Sequence, residues 1–284
     1  MNFQNLPARN AEQSDAIRRA IVPKRGAISS FDYEQIEPRL FAYYVAKGLG
    51  DNTVADWFRA GRDFYQEIAG LVYDKPTDQV TKDERQEGKV WYLMILYSAG
   101  PKKIAAETGM SLKDARDFYH QFHHSLPWIK LLSNPPPSGS RGWDGYQPGL
   151  IERVIKSRGY IKTPWGRHLH VPKYGEHKML NSLIQGSAAD LMKQAITRSA
   201  AWQRDPGMSG LVVESRMTLT VHDELQFDGP MGEIDLLHMV VPKLMIDDAI
   251  QEVVPLGVDH EIALTNLAEM IGYEEWLATQ EVTA

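Results

Sequence analysis

Two spacings organise the apolar residues of this chain, and they dominate different stretches. Gly26 to Phe31, with Ile28 and Phe31 apolar, predicts a short buried strand; it leads through Asp32 into an apolar-periodic run beginning at Ile36, where a helix is expected. Downstream, Met217 to Val221 and Leu225 to Phe227 flank His222-Asp223-Glu224 and predict a tight hairpin, and Asp259 to Ala263 predicts a final strand. Between these ends the spacing changes to three and four residues, from Thr53 to Tyr73, from Asp83 to Tyr97, and from Ser111 to Leu126 behind a serine N-cap. That middle third is expected to be helical. Further helices are expected from about Lys178 to Ala201 and from about Glu233 to Glu252, with another hairpin around Gly159 and Gly166. The segment from Asn134 to Gly149, NPPPSGSRGWDGYQPG, holds too much Pro and Gly for an element interior and predicts an irregular connection near a subdomain boundary. Strands towards both ends with helices between them imply an α+β fold, an antiparallel sheet interrupted by a helical insertion. No internal repeat is found.

Composition narrows the picture. With 43% hydrophobic residues in 284, the chain can bury a sizeable core. No apolar run approaches the ~18–20 residues that span a bilayer, and MNFQNLPARN lacks the apolar stretch of a signal peptide, so a cytoplasmic protein with no membrane association is expected. The absence of cysteine excludes disulfides, thiol nucleophiles and thiolate zinc sites, so any metal would be held by oxygen. A net charge of -6 carries no global signature of nucleic-acid binding. The local distribution does: Arg153, Lys156, Arg158, Lys162, Arg167 and Lys173 follow one another with no acid until Glu176. This stretch reads as a track for a phosphate backbone or as a solvated basic hairpin.

Two carboxylates stand out by position. Asp32 lies where a strand is expected to stop, although with Gln35 it also fits a capping box. Asp223 lies at the hairpin tip, where Asp is a common turn residue in any protein. Together they meet the minimum for a two-metal phosphoryl-transfer site, whose ions sit ~3.5–4 Å apart and share anionic oxygen ligands. A triphosphate would also need cations. Arg85, Lys89, Leu93 and Tyr97 follow at four-residue intervals and share one helix face, with the cations towards the N-terminal end. The alternative is a charged solvated face grading into a core stripe.

In order, these residues resemble the motifs of the family A DNA polymerases, the bacterial DNA polymerase I group. Asp32-Tyr33-Glu34-Gln35-Ile36-Glu37-Pro38-Arg39 is similar to the family's first motif, Arg85, Lys89, Leu93, Tyr97 and Ser98 to its second, and His222-Asp223-Glu224 to its third. Asn181 and Gln185-Gly186-Ser187-Ala188-Ala189-Asp190 resemble a further helix, and Asn2-Phe3-Gln4-Asn5-Leu6-Pro7 a segment beside the DNA. The resemblance implies a right-hand polymerase fold with a palm in residues 1–44 and 151–284, helical fingers in 45–150, and no thumb. It implies a template-directed DNA polymerase core that adds deoxynucleotides to a primer 3′ end, with primer-template DNA and deoxynucleoside triphosphates as partners and two Mg2+ ions as cofactor, Mn2+ being an alternative. Asp32, Asp223 and the carbonyl of Tyr33 would hold the metals. Arg85 and Lys89 would bind the triphosphate, with Lys89 assisting the leaving pyrophosphate, and Tyr33, Gln35 and Leu93 would lie beside the nucleotide. Glu37 would be a steric gate against a ribose 2′-hydroxyl, and Tyr97 would stack at the template position. Asn181 and Gln185, one turn apart, would touch minor-groove acceptors. Gln4, Asn5, His222 and Arg167 would contact DNA, and Glu224 would orient the hairpin. Two rivals remain: a single-subunit RNA polymerase, which Glu37 argues against, and a non-catalytic DNA-binding or assembly subunit, which the carboxylate pair argues against.

Some positions depart from the family's pattern. Leu93 stands where an aromatic is usual and loses a flat stacking surface, so slower incorporation and altered dideoxynucleotide discrimination are expected, with Leu93→Phe as the test. Ser98 replaces a usual Gly, Tyr65 a phosphate-contacting His, and His177 an Arg. The chain opens at the family's Asn-x-Gln-Asn-x-Pro segment, so either it is a fragment or a separate chain, as in a split polymerase of phage type, supplies the thumb and an exonuclease.

Overall fold

The computed structural model describes residues 11–133, 149–171, 175, 178–205 and 213–283. In chain order the elements are α1 (Ala11–Arg19), β1 (Ala27–Tyr33), α2 (Ile36–Leu49), α3 (Thr53–Arg59), α4 (Phe64–Tyr73), α5 (Lys82–Leu96), α6 (Pro101–Thr108), α7 (Leu112–Ser125), α8 (Pro127–Ser133), α9 (Leu150–Arg158), β2 (Tyr160–Lys162), β3 (His168–His170), α10 (Met179–Arg204), β4 (Arg216–Val221), β5 (Glu224–Gly229), α11 (Ile234–Met245), α12 (Asp248–Gln251), β6 (Val258–Ala263), β7 (Ile271–Gly272) and α13 (Tyr273–Thr283). The α+β expectation holds. None of the described helices is long and apolar enough to cross a membrane.

The chain forms two compact units. One comprises the residues up to Ile36, Ala188–Glu252 and from Leu256 onward; the other comprises Glu37–Ser187 with Val253–Pro255. Compactness thus divides the chain near residues 36 and 187, whereas the sequence placed its boundaries near 44 and 150. This division groups α2 and the β2–β3 hairpin with the helical unit, which linear spacing does not reveal.

The first unit is built on a five-stranded sheet in the order β4-β5-β1-β6-β7, with β1 central and antiparallel to both neighbours. A central strand has both faces covered, and β1 is buried at every position except Asp32. Phe31 lies on one face, edge-on to Phe227 and stacked on His260, with ring centroids 5.9 and 4.2 Å apart. Ala27, Ile262, Ile234 of α11 and Trp276 of α13 continue this core. On the opposite face Ile28 and Ala263 are covered by Leu267, with Ile21 and Met270 packed against them. At the Asp32 end this second face turns acidic.

The second unit is helical around an aromatic core. Phe64 stacks on Phe58 at 5.8 Å and meets Tyr92 edge-on at 4.8 Å, and Trp57 meets Trp128 at 5.7 Å. The helical run from Thr53 to Tyr73 consists of two helices: Gly61 takes φ +66°, and Asp63 starts α4 by accepting the amide N–H of Gln66 at 2.8 Å. Likewise the helix expected over Glu233–Glu252 breaks after Met245, and Asp247 caps the short α12. A side-chain cap competes locally with helix continuation, and apolar spacing alone does not register it. Helix α5 begins with a complete capping box between Thr81 and Glu84. Gly88 brings α4 and α5 close together, since a Cβ there would lie 3.0 Å from the Tyr65 carbonyl oxygen and 3.1 Å from Ala69 Cβ.

Candidate functional site

In the sheet unit, register aligns the acids. Asp32 lies directly between Glu224 on β5 and Asp259 on β6, and Ser30 between Gln226 and Glu261. Cross-strand partners share a face, so Asp32, Glu224, Asp259 and Glu261 project together. The β4–β5 turn comprises only His222 and Asp223, since Val221 pairs with Glu224. His222 takes φ +55°, the left-handed value that a tight hairpin demands. The backbone N–H of Tyr33 donates to the Asp223 carbonyl at 3.3 Å, which joins the hairpin tip to the strand end holding Asp32. Glu224 is oriented by the Ser30 hydroxyl and by Gln226 Nε2, the latter at 2.6 Å.

This concentration of carboxylates has an electrostatic signature. Burial raises the pKa of Asp32 from its ordinary 3.8 to about 7, reinforced by the charges of Asp223, Glu224, Asp259 and Glu261. Asp223 is also raised, chiefly by burial. Glu261 is pushed up by burial and by Glu224, against the opposing pull of Arg18. Asp32, Glu224, Asp259 and Glu261 line a cleft of about 510 Å³ with Arg18, His238 and Tyr273, and Asp223 is not part of that lining. The donor set is all oxygen and carries excess negative charge at Asp32 and Asp223, which fits hard divalent cations. Sequence reasoning passed over Asp259 and Glu261. The alternation in Val258-Asp259-His260-Glu261-Ile262 signalled that both acids share one face, but only the register shows that it is the face of Asp32.

Asp32 does not act as the helix cap that was its alternative reading. It lies inside β1, and two turn residues separate that strand from α2, with Gln35 at φ +48°. The Tyr33 ring points into the core, where its hydroxyl donates to the carbonyl of Met245, leaving its backbone at the strand end.

In the helical unit, α5 carries the expected face. Arg85 and Lys89 both lie over the ring of buried Tyr65, with Cζ and Nζ 5.7 and 5.5 Å from its centroid. Arg85 is not a solvated charge: Nε and Nη2 donate to Asp63 at 2.9 and 2.7 Å. Leu93 is half-buried on the same helix, and Tyr97 is exposed at its end. The Tyr97 hydroxyl donates to both carboxylate oxygens of Glu37 at 3.1 and 3.2 Å, and Gln185 Nε2 approaches that hydroxyl at 3.5 Å. Thus Glu37, Tyr97 and Gln185 are brought together from α2, α5 and α10. Asn181, one turn before Gln185, keeps a buried Oδ1 with no hydrogen-bond partner among the described residues. Ser98 takes φ +62°, which gives a physical reason for glycine at this position in the resembling motif.

The basic stretch is partly committed within the protein. Lys156 pairs with Glu152 at 2.7 Å on α9, an acid just before the stretch, and Arg167 donates to the Gly186 carbonyl at 2.5 Å. Arg153, Arg158 and Lys162 are exposed. Gln4, Asn5, Lys173 and His177 lie outside the described residues.

The fold is that of a polymerase domain: the POL domain of Pol1 from M. smegmatis, solved in complex with DNA primer-template and dNTP, superposes with a TM-score of 0.74 at 26% identity over 94% of this chain and 44% of that one. Residues 1–269 match the family described as DNA polymerase family A, and the chain belongs to that family. Among its relatives are DNA polymerase I of Lactococcus lactis subsp. lactis, 30% identical over 266 residues, and the thermostable DNA polymerase I of Thermus aquaticus, 28% identical over 294 residues. These matches cover 93% and 99% of this chain but only 28% and 30% of those proteins. The chain therefore corresponds to less than a third of the length of these relatives.

Proposed function

We propose that this chain carries the nucleotidyl-transfer chemistry of a DNA-templated DNA polymerase, the sheet unit serving as palm and the helical unit contributing fingers, in the cytoplasm. The observation that supports it best is the carboxylate row, in which Asp32 stands among like charges with its pKa raised to about 7 beside the Asp223 turn. Asp32, Asp223 and the Tyr33 carbonyl would hold two divalent ions, Mg2+ by preference, which when bound lower the pKa of a primer 3′-hydroxyl and neutralise charge on departing pyrophosphate. The rest falls to the chain's own groups. Arg85 and Lys89 bind the triphosphate, Lys89 at the leaving end. Glu37, held by Tyr97, fills the space of a ribose 2′-hydroxyl and selects deoxynucleotides. Asn181 and Gln185 offer donors to the minor-groove acceptors that correct base pairs share, while His222 and the exposed cations of α9 and β2 approach DNA.

Primer extension on a primed template at low salt, with Mg2+ and deoxynucleotides, tests this directly. Extension by the parent with about 10³-fold loss in both Asp32→Asn and Asp223→Asn supports the reading, a magnitude typical of removing one electrostatic element of an active site. Undiminished extension in either variant would sink it. Extension only after adding a second polypeptide would assign the duplex grip to a separate thumb-bearing chain. Equal use of ribonucleotides would revive the RNA polymerase alternative.

A further inference from the structure

Arg85 is held in a way that a simple phosphate ligand would not require. Gly88 lets α4 and α5 approach closely, and this sets Asp63, the first cap of α4, against the first turns of α5. Asp63 Oδ1 accepts the Gln66 amide at 2.8 Å and Arg85 Nε at 2.9 Å, while Oδ2 accepts Nη2 at 2.7 Å. The carboxylate is therefore anchored to a helix end before it grips the guanidinium. Beneath lies the Tyr65 ring, itself packed on Phe64 and Tyr92 in the core. A guanidinium has five N–H donors in a rigid plane; this pair uses two and leaves three. The Arg85 side chain remains 37% exposed, so solvent and ligands can reach it.

We propose that Asp63 is a positioning residue for the incoming nucleotide: it fixes the plane of Arg85 so that the remaining N–H groups meet the triphosphate already oriented. This rests on Arg85 being a triphosphate ligand. Without Asp63, the phosphate would have to order a long flexible side chain on binding, at a cost in affinity. The carboxylate need not leave when phosphate arrives, because it occupies the Nε edge and one of its oxygens also serves the α4 cap. Position therefore outweighs the added negative charge, which is already neutralised by Arg85 itself.

The discriminating variant is Asp63→Asn. It retains an oxygen for the Gln66 cap and nearly the same volume, but turns an NH2 towards Arg85 Nη2, donor against donor. Nucleotide affinity is measured by calorimetry on the full chain with primed template, Mg2+ and a deoxynucleoside triphosphate whose α,β-bridge is an imide. Extension assays supply KM and kcat, and thermal melting shows that each variant is folded. Asp63→Asn is expected to weaken binding and raise KM about tenfold, with kcat altered less than about twofold, as for loss of one charge-assisted contact. In an Arg85→Lys background, where the fork is already gone, adding Asp63→Asn should change affinity by less than about twofold. Unchanged or tighter binding in Asp63→Asn, or the same tenfold loss in both backgrounds, overturns the proposal. Parental affinity in Arg85→Ala would instead overturn the assignment of Arg85 to the triphosphate.

Discussion

The two units treat charge in opposite ways. In the sheet unit, strand register packs Asp32, Glu224 and Asp259 side by side, and the Asp32 proton is held to about pH 7. In the helical unit four cations are matched locally: Arg85 by Asp63, Lys75 by Glu84, Arg62 by Glu67 and Arg59 by Asp56. In the carboxylate row like charges crowd one another, whereas the Arg85 pair is satisfied by the fold itself. Repulsion tolerated at one place in a marginally stable protein points to a ligand, and matched pairs alone do not.

The contrast can be broken most decisively by neutralising one charge in each unit. Asp32→Asn should lower extension about 10³-fold, as above, and yet raise the melting temperature of protein held in a chelator at pH 8. The sign follows from linkage: Asp32 titrates near 4 when unfolded and near 7 when folded, so the native state binds the extra proton and stability falls as pH rises through that window. The gain from Asp32→Asn should therefore be absent near pH 4, grow up to pH 7, and disappear when Mg2+ is added. A variant less stable than the parent at pH 8 without metal would refute it. Arg85→Ala should go the other way and lower stability in urea by about 0.5–1 kcal/mol, the range for a partly exposed ion pair.

Smaller effects sharpen the comparison within the helical unit. Tyr92 is fully buried with a hydroxyl that finds no partner among the described residues, so Tyr92→Phe should be neutral or stabilise by about 1 kcal/mol, read as a shifted urea midpoint. A loss of stability would mean that the hydroxyl is satisfied in solution. Ser98→Gly should stabilise by a few tenths to about 1 kcal/mol, because φ +62° strains serine but not glycine, part of the gain being offset by glycine's entropy in the unfolded chain. Destabilisation there would show that the serine side chain contributes more than its backbone costs.

Much of this was legible in the amino-acid order. The strand before Asp32, the Asp223 hairpin and the Arg85–Tyr97 helix follow from apolar spacing and turn chemistry, which act over a few residues. Helix breaks at Gly61 and Ile246 were not, because a left-handed glycine and an aspartate cap interrupt an apolar rhythm without altering it. The short helices α6, α8 and α9 and the two-residue β7 were passed over for a related reason: each is too brief to establish a period.

Sequence by itself determined which groups are available: oxygen donors without thiols, two carboxylates at turns, and two cations on one helix face. Only tertiary structure decided which of them share an environment. Asp259 joins Asp32 through pairing of strands more than two hundred residues apart, Glu37 meets Tyr97 from another helix, and Asp63 grips Arg85 across the α4–α5 contact. Charge interactions depend on distance and on solvent access, and neither is encoded by separation along the chain.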